Sequence, residues 1–303
     1  MIELNEAWQA YHQFKSQRKA AEFLNISRST FRERFERAKI AFNNINLSYR
    51  MLLFDLETSQ TISGHYGMWD VRINKDDVLH PWFIMSGAWK WYGEKERYSV
   101  NMLDDPERFA KNRFDIRDLF FDDYHIVKKL HEVLTEADVL IFQNGIKFDI
   151  KKFNTRCEFH GLPPIGQKIM IDLYVIAKRH FDLESNSLAY MCKFFKIKGK
   201  TKTSDGLFRR AMLCYTDAIK ELSEYNKDDL WPSLEGLFNK LRPYIKNLNY
   251  GLYSIGHVCK NCGSPRLEES EERIYTMTTV KAQLRCLDCR SLTKIGKSLV
   301  SKK

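Results

Sequence analysis

Two sets of side chains in this sequence are spaced so that they could bind metal ions. The first set is acidic: Asp55 and Glu57 lie two residues apart in the apolar run LLFDLET. Alternate residues of a β-strand face the same side, so both carboxylates would face one side of a strand. Such a pair repels itself unless a cation lies between the groups, and Mg²⁺ prefers a few carboxylates together with substrate phosphates. The same pattern is also common at solvated strand ends.

The second set consists of thiols. Four of the seven cysteines form two C-x₂-C pairs with 23 residues between them: Cys259, Cys262, Cys286 and Cys289. This spacing predicts a zinc ribbon around one structural Zn²⁺, with Gly263 in the first tight knuckle and an iron site as the less common alternative. The other cysteines, Cys157, Cys192 and Cys214, are isolated among apolar residues and are predicted to pack in a core.

Two further motifs carry acidic residues. Asn144 to Asp149 directly follows the apolar run VLIFQ, at the strand end where open α/β sheets place ligands. Gly145 would allow a close approach there, and Asp149 could equally be a carboxylate at a helix N-terminus. Tyr225 and Asp229 lie four residues apart and would share one helix face. A tyrosine hydroxyl beside a carboxylate can orient a water molecule, or it can simply cap a core.

Hydrophobic periodicity predicts the elements that must hold these residues. Strand-like apolar runs at 51–57 and 80–93 precede alternating helix and strand patterns that continue to about residue 246. This order indicates an α/β fold, with a mixed sheet flanked by helices. Three modules are predicted: small N-terminal helices at 1–40, the α/β domain at 50–250 and the cysteine-rich segment at 251–303.

The positive charge is concentrated at the two ends. The net charge of +10 divides into +3 for residues 1–40, +5 for residues 251–303 and +2 between them. Basic ends around a near-neutral centre favour a nucleic acid partner, although solubility alone would also explain them. The sequence shows no signal-peptide pattern and no apolar run of about 20 residues, so we expect a soluble intracellular protein without membrane contact.

Taken in order, D-x-E, N-x-x-x-F-D and Y-x-x-x-D resemble the three exonuclease motifs of the DEDD family. These are 3′–5′ exonucleases of the ribonuclease H-like superfamily, which includes the proofreading domains of DNA polymerases. The resemblance covers about 50–250, and the stretches IDLYVIAKRHF and EYNKDDLWPSLEG look like a phage and bacterial branch. Tyr225 implies the tyrosine subclass, because Glu224 stands where the histidine subclass needs His. The resemblance implies that two Mg²⁺ or Mn²⁺ are held by four carboxylates: Asp55, Glu57, Asp149 and Asp229.

The implied chemistry is hydrolysis that releases nucleoside 5′-monophosphates from DNA 3′ ends or single strands. In two-metal nucleases the ions lie about 3.5–4 Å apart and act on the attacking water and the leaving oxygen. Tyr225 would orient that water. Asn144 is implied as a substrate contact or as a residue that fixes the site geometry, and Asp172 is predicted to be a helix cap rather than a ligand.

The N-terminal stretch QRKAAEFLNISRSTFRERFERA resembles the helix-turn-helix of Fis-like and recombinase-type DNA-binding proteins. Its last helix is predicted to begin on Ser27, with Phe31 and Phe35 as anchors. A bundle that binds protein is the alternative, and the zinc ribbon could track phosphates or only cap the fold. The predicted DNA contacts are Arg28, Ser29, Thr30, Arg32 and Arg34.

The sequence therefore predicts a metal-dependent 3′–5′ exonuclease on DNA with a proofreading or replication and repair role. Its expected partners are DNA and a separate DNA polymerase or replication protein, in the cytoplasm of a bacterium or a phage-infected cell. Two alternatives stay open: a structure-specific endonuclease of the same fold, and a DNA-binding regulator with an inactive nuclease core. RNA also stays open as a substrate, because the metal chemistry does not depend on the 2′-hydroxyl.

Overall fold

The chain forms two compact units in the computed structural model. The central unit is Arg50–Leu241, and the outer unit combines Met1–Tyr49 with Arg242–Lys303. The predicted start of the α/β domain coincides with the first residue of the central unit, whereas the division into three modules stays a prediction. The structure describes residues 6–7, 10–11, 14, 16–43, 50–67, 69, 71–114, 122–199, 203–246, 248–249, 258–276 and 279–301. Within these ranges, no helix has the length and apolar character needed to cross a membrane.

The N-terminal part of the outer unit contains helices α1 (Gln17–Phe23) and α2 (Arg28–Asn43), joined by a four-residue turn. Ser27 caps α2, since its hydroxyl accepts the backbone N–H of Thr30 at 3.1 Å, and this confirms the predicted helix start. Among the described residues of this region, the buried apolar side chains are Ala7, Ala10, Ala20, Ala21, Phe31 and Phe35. Phe31 and Phe35 are therefore core anchors, as predicted.

The central unit is built on a mixed five-stranded sheet. The described strands of this unit, which also form a separate two-stranded sheet, are β1 (Met51–Thr58), β2 (Ile62–Ser63), β3 (Val78–His80), β4 (Ile84–Trp91), β5 (Tyr98–Asn101), β6 (Val139–Phe142) and β7 (Ile169–Asp172). The main sheet has the order β5-β4-β1-β6-β7, and β2 pairs with β3. The β1–β4 and β4–β5 pairs are antiparallel, whereas β1–β6 and β6–β7 are parallel. This confirms the predicted mixed sheet.

Helices flank this sheet. They are α3 (Pro106–Phe114), α4 (Tyr124–Glu136), α5 (Asp149–Phe159), α6 (Leu173–His180), α7 (Leu188–Phe194), α8 (Leu207–Met212), α9 (Thr216–Asp228) and α10 (Glu235–Leu241). A kinked segment, Asp229–Leu234, joins α9 to α10. Helix α4 buries apolar residues at helical spacing against the core, which is why its sequence pattern was readable.

Strand β1 changes its surroundings halfway along its length. The parallel ladder with β6 covers only Met51 to Leu53, whereas the antiparallel ladder with β4 continues to Thr58. The carboxyl half of β1 therefore has a ladder partner on one side and lies beside the chain that follows β6 on the other. Asp55 and Glu57 lie in this half.

A buried ion pair holds α5 against the sheet. Asp123, which precedes α4, is fully buried and accepts Nε and Nη2 of Arg156 at 2.8 and 2.6 Å. Its second oxygen accepts the backbone N–H of Ile84, the first residue of β4, at 2.8 Å. Nε2 of His160 lies 2.6 Å from the same carboxylate. One carboxylate thus connects the helix that carries Asp149 to a strand beside β1.

The C-terminal part of the outer unit contains an antiparallel three-stranded sheet of order β10-β9-β8. Its strands are β8 (Leu267–Tyr275), β9 (Thr279–Cys286) and β10 (Leu292–Ser301). One C-x₂-C pair precedes β8, and the other lies at the turn from β9 to β10. The sheet thus brings two cysteine knuckles to the same end.

Candidate active site

Three of the predicted metal ligands converge at the end of β1. Carboxylate oxygens of Asp55, Glu57 and Asp229 all lie within 4.8 Å of one another. Asp229 is buried, and the other two are half-buried. Three carboxylates this close repel one another in a partly desolvated site, and a bound cation would relieve that repulsion. Their hard oxygen donors fit Mg²⁺ or Mn²⁺.

Asp149 lies next to this group, and its carboxylate is hydrogen-bonded to the backbone of β1. It is the first residue of α5, and its Oδ1 accepts the backbone N–H of Leu56 at 2.9 Å. Leu56 separates Asp55 from Glu57 on the strand, at a position where β6 no longer pairs. The pKa of Asp149 is raised to about 7, mainly by burial and to a smaller extent by the charge of Asp172, although two backbone N–H hydrogen bonds oppose this shift. Its role as a fourth ligand stays a prediction.

Tyr225 shares a helix face with Asp229. The backbone N–H of Asp229 donates to the carbonyl of Tyr225, so the last turn of α9 sets their relative direction. The half-buried Tyr225 ring packs edge-on against Phe208, with 6.1 Å between the ring centroids. The predicted i, i+4 relationship is therefore confirmed, whereas its water-orienting role stays a prediction.

A buried amide side chain orients Asp55, and this contact was not predicted from the sequence. Asn226 is fully buried, and its Nδ2 donates to Oδ2 of Asp55 at 2.6 Å. Its own Oδ1 accepts the hydroxyl of Ser86, which is also fully buried, at 3.1 Å. A signal was present: Asn226 follows the buried Leu222 by four residues, so an amide occupies an apolar helix stripe. This relay fixes the orientation of the Asp55 carboxylate from one side.

Replacing Asn226 by Ala is expected to lower metal affinity or turnover by about 10- to 100-fold, as for other residues that orient a metal ligand. The measurement is the rate of the DNA digestion that the three-motif resemblance implies, as a function of Mn²⁺ concentration. Asn239→Ala is the matched control, since Asn239 is exposed and accepts the Tyr92 hydroxyl at 2.9 Å. An unchanged metal dependence in Asn226→Ala would exclude the orienting role.

The turn between β6 and α5 is held by a second buried carboxylate. Asp172 accepts the backbone N–H of Tyr174 at 3.0 Å, which confirms the predicted helix cap. It also accepts the N–H groups of Asn144 at 2.8 Å and Ile146 at 3.2 Å. Asn144 has a positive φ of 60°, which Asn tolerates better than most residues. Its predicted contact with substrate stays a prediction.

Gly145 is required in this turn by packing. A Cβ at this position would lie 2.4 Å from a ring carbon of Phe142, and Phe142 is fully buried. The predicted close approach is therefore made by the core of the protein. It sets the path by which the chain reaches Asp149.

The four ribbon cysteines form a second candidate metal site. Their sulfur atoms all lie within 4.8 Å of one another. The Sγ–Sγ distance is 3.5 Å for both Cys259–Cys289 and Cys262–Cys286. All four are free thiols. Four sulfur donors at this spacing fit a tetrahedral Zn²⁺.

The two knuckles of this site have the same backbone pattern. Gly263 donates to the carbonyl of Cys259, and Arg290 donates to the carbonyl of Cys286. Both donors have a positive φ, 74° for Gly263 and 61° for Arg290. The sequence revealed only the first, because Arg rarely adopts this conformation. Hydrogen bonds, with that of Cys289 the strongest, lower the pKa of Cys259 to about 4 despite its burial, which suits a thiolate ligand.

Cys289→Ser is expected to lower the zinc content from one equivalent per chain to a small fraction of that value, because structural sites need all four thiolates. Metal analysis after gel filtration measures it. Cys214→Ser provides the control, since Cys214 is an isolated thiol of the central unit. Full zinc content in Cys289→Ser would show that the metal does not use this thiol.

The predicted DNA contacts at the start of α2 differ in their exposure and in their hydrogen bonds. Arg28, Ser29 and Arg32 are exposed and line an open cavity of about 530 Å³, which Gln17, Glu33 and Glu36 also line. The hydroxyls of Ser29 and Thr30 lie 2.8 and 2.7 Å from that of Ser27, so they take part in the helix cap. Arg34 is only partly exposed. DNA binding by these residues stays a prediction.

A comparison with known protein families found a match for much of the central unit. Residues 95–242 match the sequence model of the RNase_H superfamily. The central unit has a ribonuclease H-like fold. The matched segment contains Asp149, Tyr225 and Asp229 and begins after β1. This supports a nuclease of that superfamily, whose members usually use divalent metals.

The chain is also similar to a solved structure. It is the family B DNA polymerase from the hyperthermophilic archaeon Pyrobaculum calidifontis, with a TM-score of 0.48 and 14% sequence identity. The similarity covers 76% of this chain and 31% of the polymerase chain. No curated protein matches the sequence.

Proposed function

We propose that this protein is a metal-dependent 3′–5′ exonuclease that acts on DNA and releases nucleoside 5′-monophosphates. The carrying observation is the convergence of Asp55, Glu57 and Asp229 carboxylates within 4.8 Å in a ribonuclease H-like unit. Tyr225 lies one helical turn before Asp229, as in the tyrosine subclass. The 3′–5′ direction is supported by the resemblance of the three motifs.

Each residue of the acidic site has a separate role in this proposal. Asp55, Glu57 and Asp229 would hold the divalent cation, with Asp149 as a further ligand for a second one. When bound, two such ions supply activation of the attacking water and stabilisation of the leaving 3′ oxygen. Tyr225 orients the water through its hydroxyl, and Asn226 fixes the rotation of the Asp55 carboxylate.

The outer unit would hold the substrate. In this proposal the basic residues at the start of α2 contact the DNA backbone, while the zinc ribbon is stabilised by its metal and adds positive charge. The substrate would be a single strand or a 3′ end, presented beside a separate DNA polymerase or replication protein. Charge at both chain ends supports this assignment, because phosphate contacts dominate nucleic acid affinity.

One digestion experiment tests the activity. Single-stranded, duplex and mismatched DNA and single-stranded RNA, each labelled at the 5′ end, are incubated with Mn²⁺. We expect a ladder that shortens from the 3′ end of the DNA, and no digestion of DNA with a blocked 3′ end. Internal cuts in blocked DNA would favour an endonuclease, and equal digestion of RNA would widen the substrate class. Absence of any digestion would refute the proposal.

A further inference from the structure

An exposed tryptophan follows the buried carboxylate of the acidic site. Trp231 is 51% exposed, whereas its neighbours Leu230 and Ser233 are fully buried. It lies two residues after Asp229, so their Cα atoms are at most about 7 Å apart. Exposing half of an indole is unfavourable in water. The fold thus keeps a large aromatic surface accessible beside the candidate metal ligands.

The local backbone turns this side chain away from the core. Trp231 has φ −147° and ψ 132°, an extended conformation at the kink between α9 and α10. This extended residue lies two positions after Asp229, so the carboxylate stays buried while the indole is exposed.

A cation lies on the same side. The Arg97 guanidinium donates to Asp228 at 2.6 Å and to the carbonyl of Lys227 at 3.4 Å. Its central carbon lies 6.0 Å from the Trp231 ring centroid, at the outer limit of a cation–π contact. Arg97 is therefore fixed by the residue that precedes Asp229. An aromatic ring with a nearby fixed cation is the combination that binds a nucleobase together with its phosphate.

We propose that Trp231 and Arg97 form a stacking site for one unpaired nucleobase of the strand that enters the acidic site. This inference rests on the proposed nuclease function and makes the substrate a single strand. A base inside a duplex already stacks on both of its neighbours, so the occupant that we assign to the indole is an unpaired base. Metal ions held by the acidic group would attract the phosphates of a strand, and this favours a nucleic acid over a partner protein as the occupant.

A binding cycle between protein and DNA tests this site. A 5′-labelled oligothymidylate and versions with a single abasic nucleotide at successive positions from the 3′ end are titrated in Ca²⁺ instead of Mg²⁺. Gel analysis after each titration verifies that the oligonucleotide is intact. At one position, loss of the base should weaken binding to the unmodified protein by about 5- to 150-fold. Trp231→Ala should bind normal DNA with the same loss and show no further effect of the abasic nucleotide.

Two further variants test whether binding depends on an aromatic ring at position 231. Trp231→Phe should restore most of the affinity, because a phenyl ring still stacks. Phe159→Ala should have no effect: Phe159 is also 50% exposed beside an arginine, Arg156, at 4.4 Å, but it lies at the opposite end of α5 from Asp149. Thermal melting of each variant separates a binding defect from misfolding, and Arg97→Gln provides an independent substitution if Trp231→Ala does not fold.

The outcomes distinguish this site from the activity. If the abasic effect is equally large in Trp231→Ala at every position, the stacking site is refuted even when the protein digests DNA. If the cycle holds but Mn²⁺ supports no digestion, the stacking site stands and the nuclease proposal fails. Capture of a protein ligand by Trp231 with no base dependence would assign the surface to a protein partner instead.

Discussion

Asp229→Asn is expected to lower the rate of Mn²⁺-dependent DNA digestion by about 10³-fold or more, since a bound metal contributes several kcal/mol to transition-state stabilisation. The substitution keeps the size of the side chain and removes one of three charges whose oxygens lie within 4.8 Å. In metal-free buffer the variant should melt at the same or a higher temperature, because repulsion among the carboxylates is relieved. Opposite effects on activity and stability separate a site residue from a structural one.

Asp217→Asn is the matched control for this experiment. Asp217 lies on α9 as well, but its side chain is 67% exposed and pairs with Arg210. Removing this charge should leave the digestion rate within a factor of two and shift stability by less than about 1 kcal/mol. If Asp229→Asn keeps more than a tenth of the activity, the three-carboxylate site is not the catalytic one.

Asp123→Ala is expected to have the largest effect on stability. Breaking a buried pair costs about 3–5 kcal/mol, because the remaining charge is left without compensation in the core. The guanidinium of Arg156 would be that charge, since its side chain is only 5% exposed. For a domain of this size the melting temperature should fall by about 6–20 °C, and activity should be lost with it as α5 loosens.

The exposed pair Arg50–Glu136 gives the comparison. Its atoms lie 2.8 Å apart, but the two side chains are 43% and 56% exposed, so Glu136→Ala should cost at most about 1 kcal/mol. Replacing Asp123 and Arg156 together by leucine should destabilise less than Asp123→Ala alone, because no unpaired charge remains. A double variant as unstable as the single one would contradict this account of the buried pair.

The parts of the site that could be predicted depend on short-range spacing. The period of two on β1 places Asp55 and Glu57 on one face, and the period of a helix places Tyr225 beside Asp229. Likewise, the repeated C-x₂-C pairs predict a thiol cluster because each knuckle is local. Such patterns relate residues a few positions apart, and this is the range over which backbone geometry alone determines direction.

The missed contacts join residues that are distant in sequence. The hydrogen bond from Ser86 to Asn226 spans 140 positions, and that from Leu56 to Asp149 spans 93. Periodicity carries no information about which distant polar group a buried amide meets. The four-residue strand β5 and the two-residue β2 were missed for another reason: they are too short to show alternation.

The outer unit is discontinuous in sequence, and this affects the order in which the protein can fold during synthesis. Its two parts, Met1–Tyr49 and Arg242–Lys303, flank the whole central unit. The described core of the N-terminal helices consists of four alanines and two phenylalanines, a small apolar core for independent stability. Contacts between distant segments form at the entropic cost of closing a long loop. During synthesis on the ribosome, the continuous central unit can therefore fold and form its acidic site before the C-terminal part of the outer unit has been made.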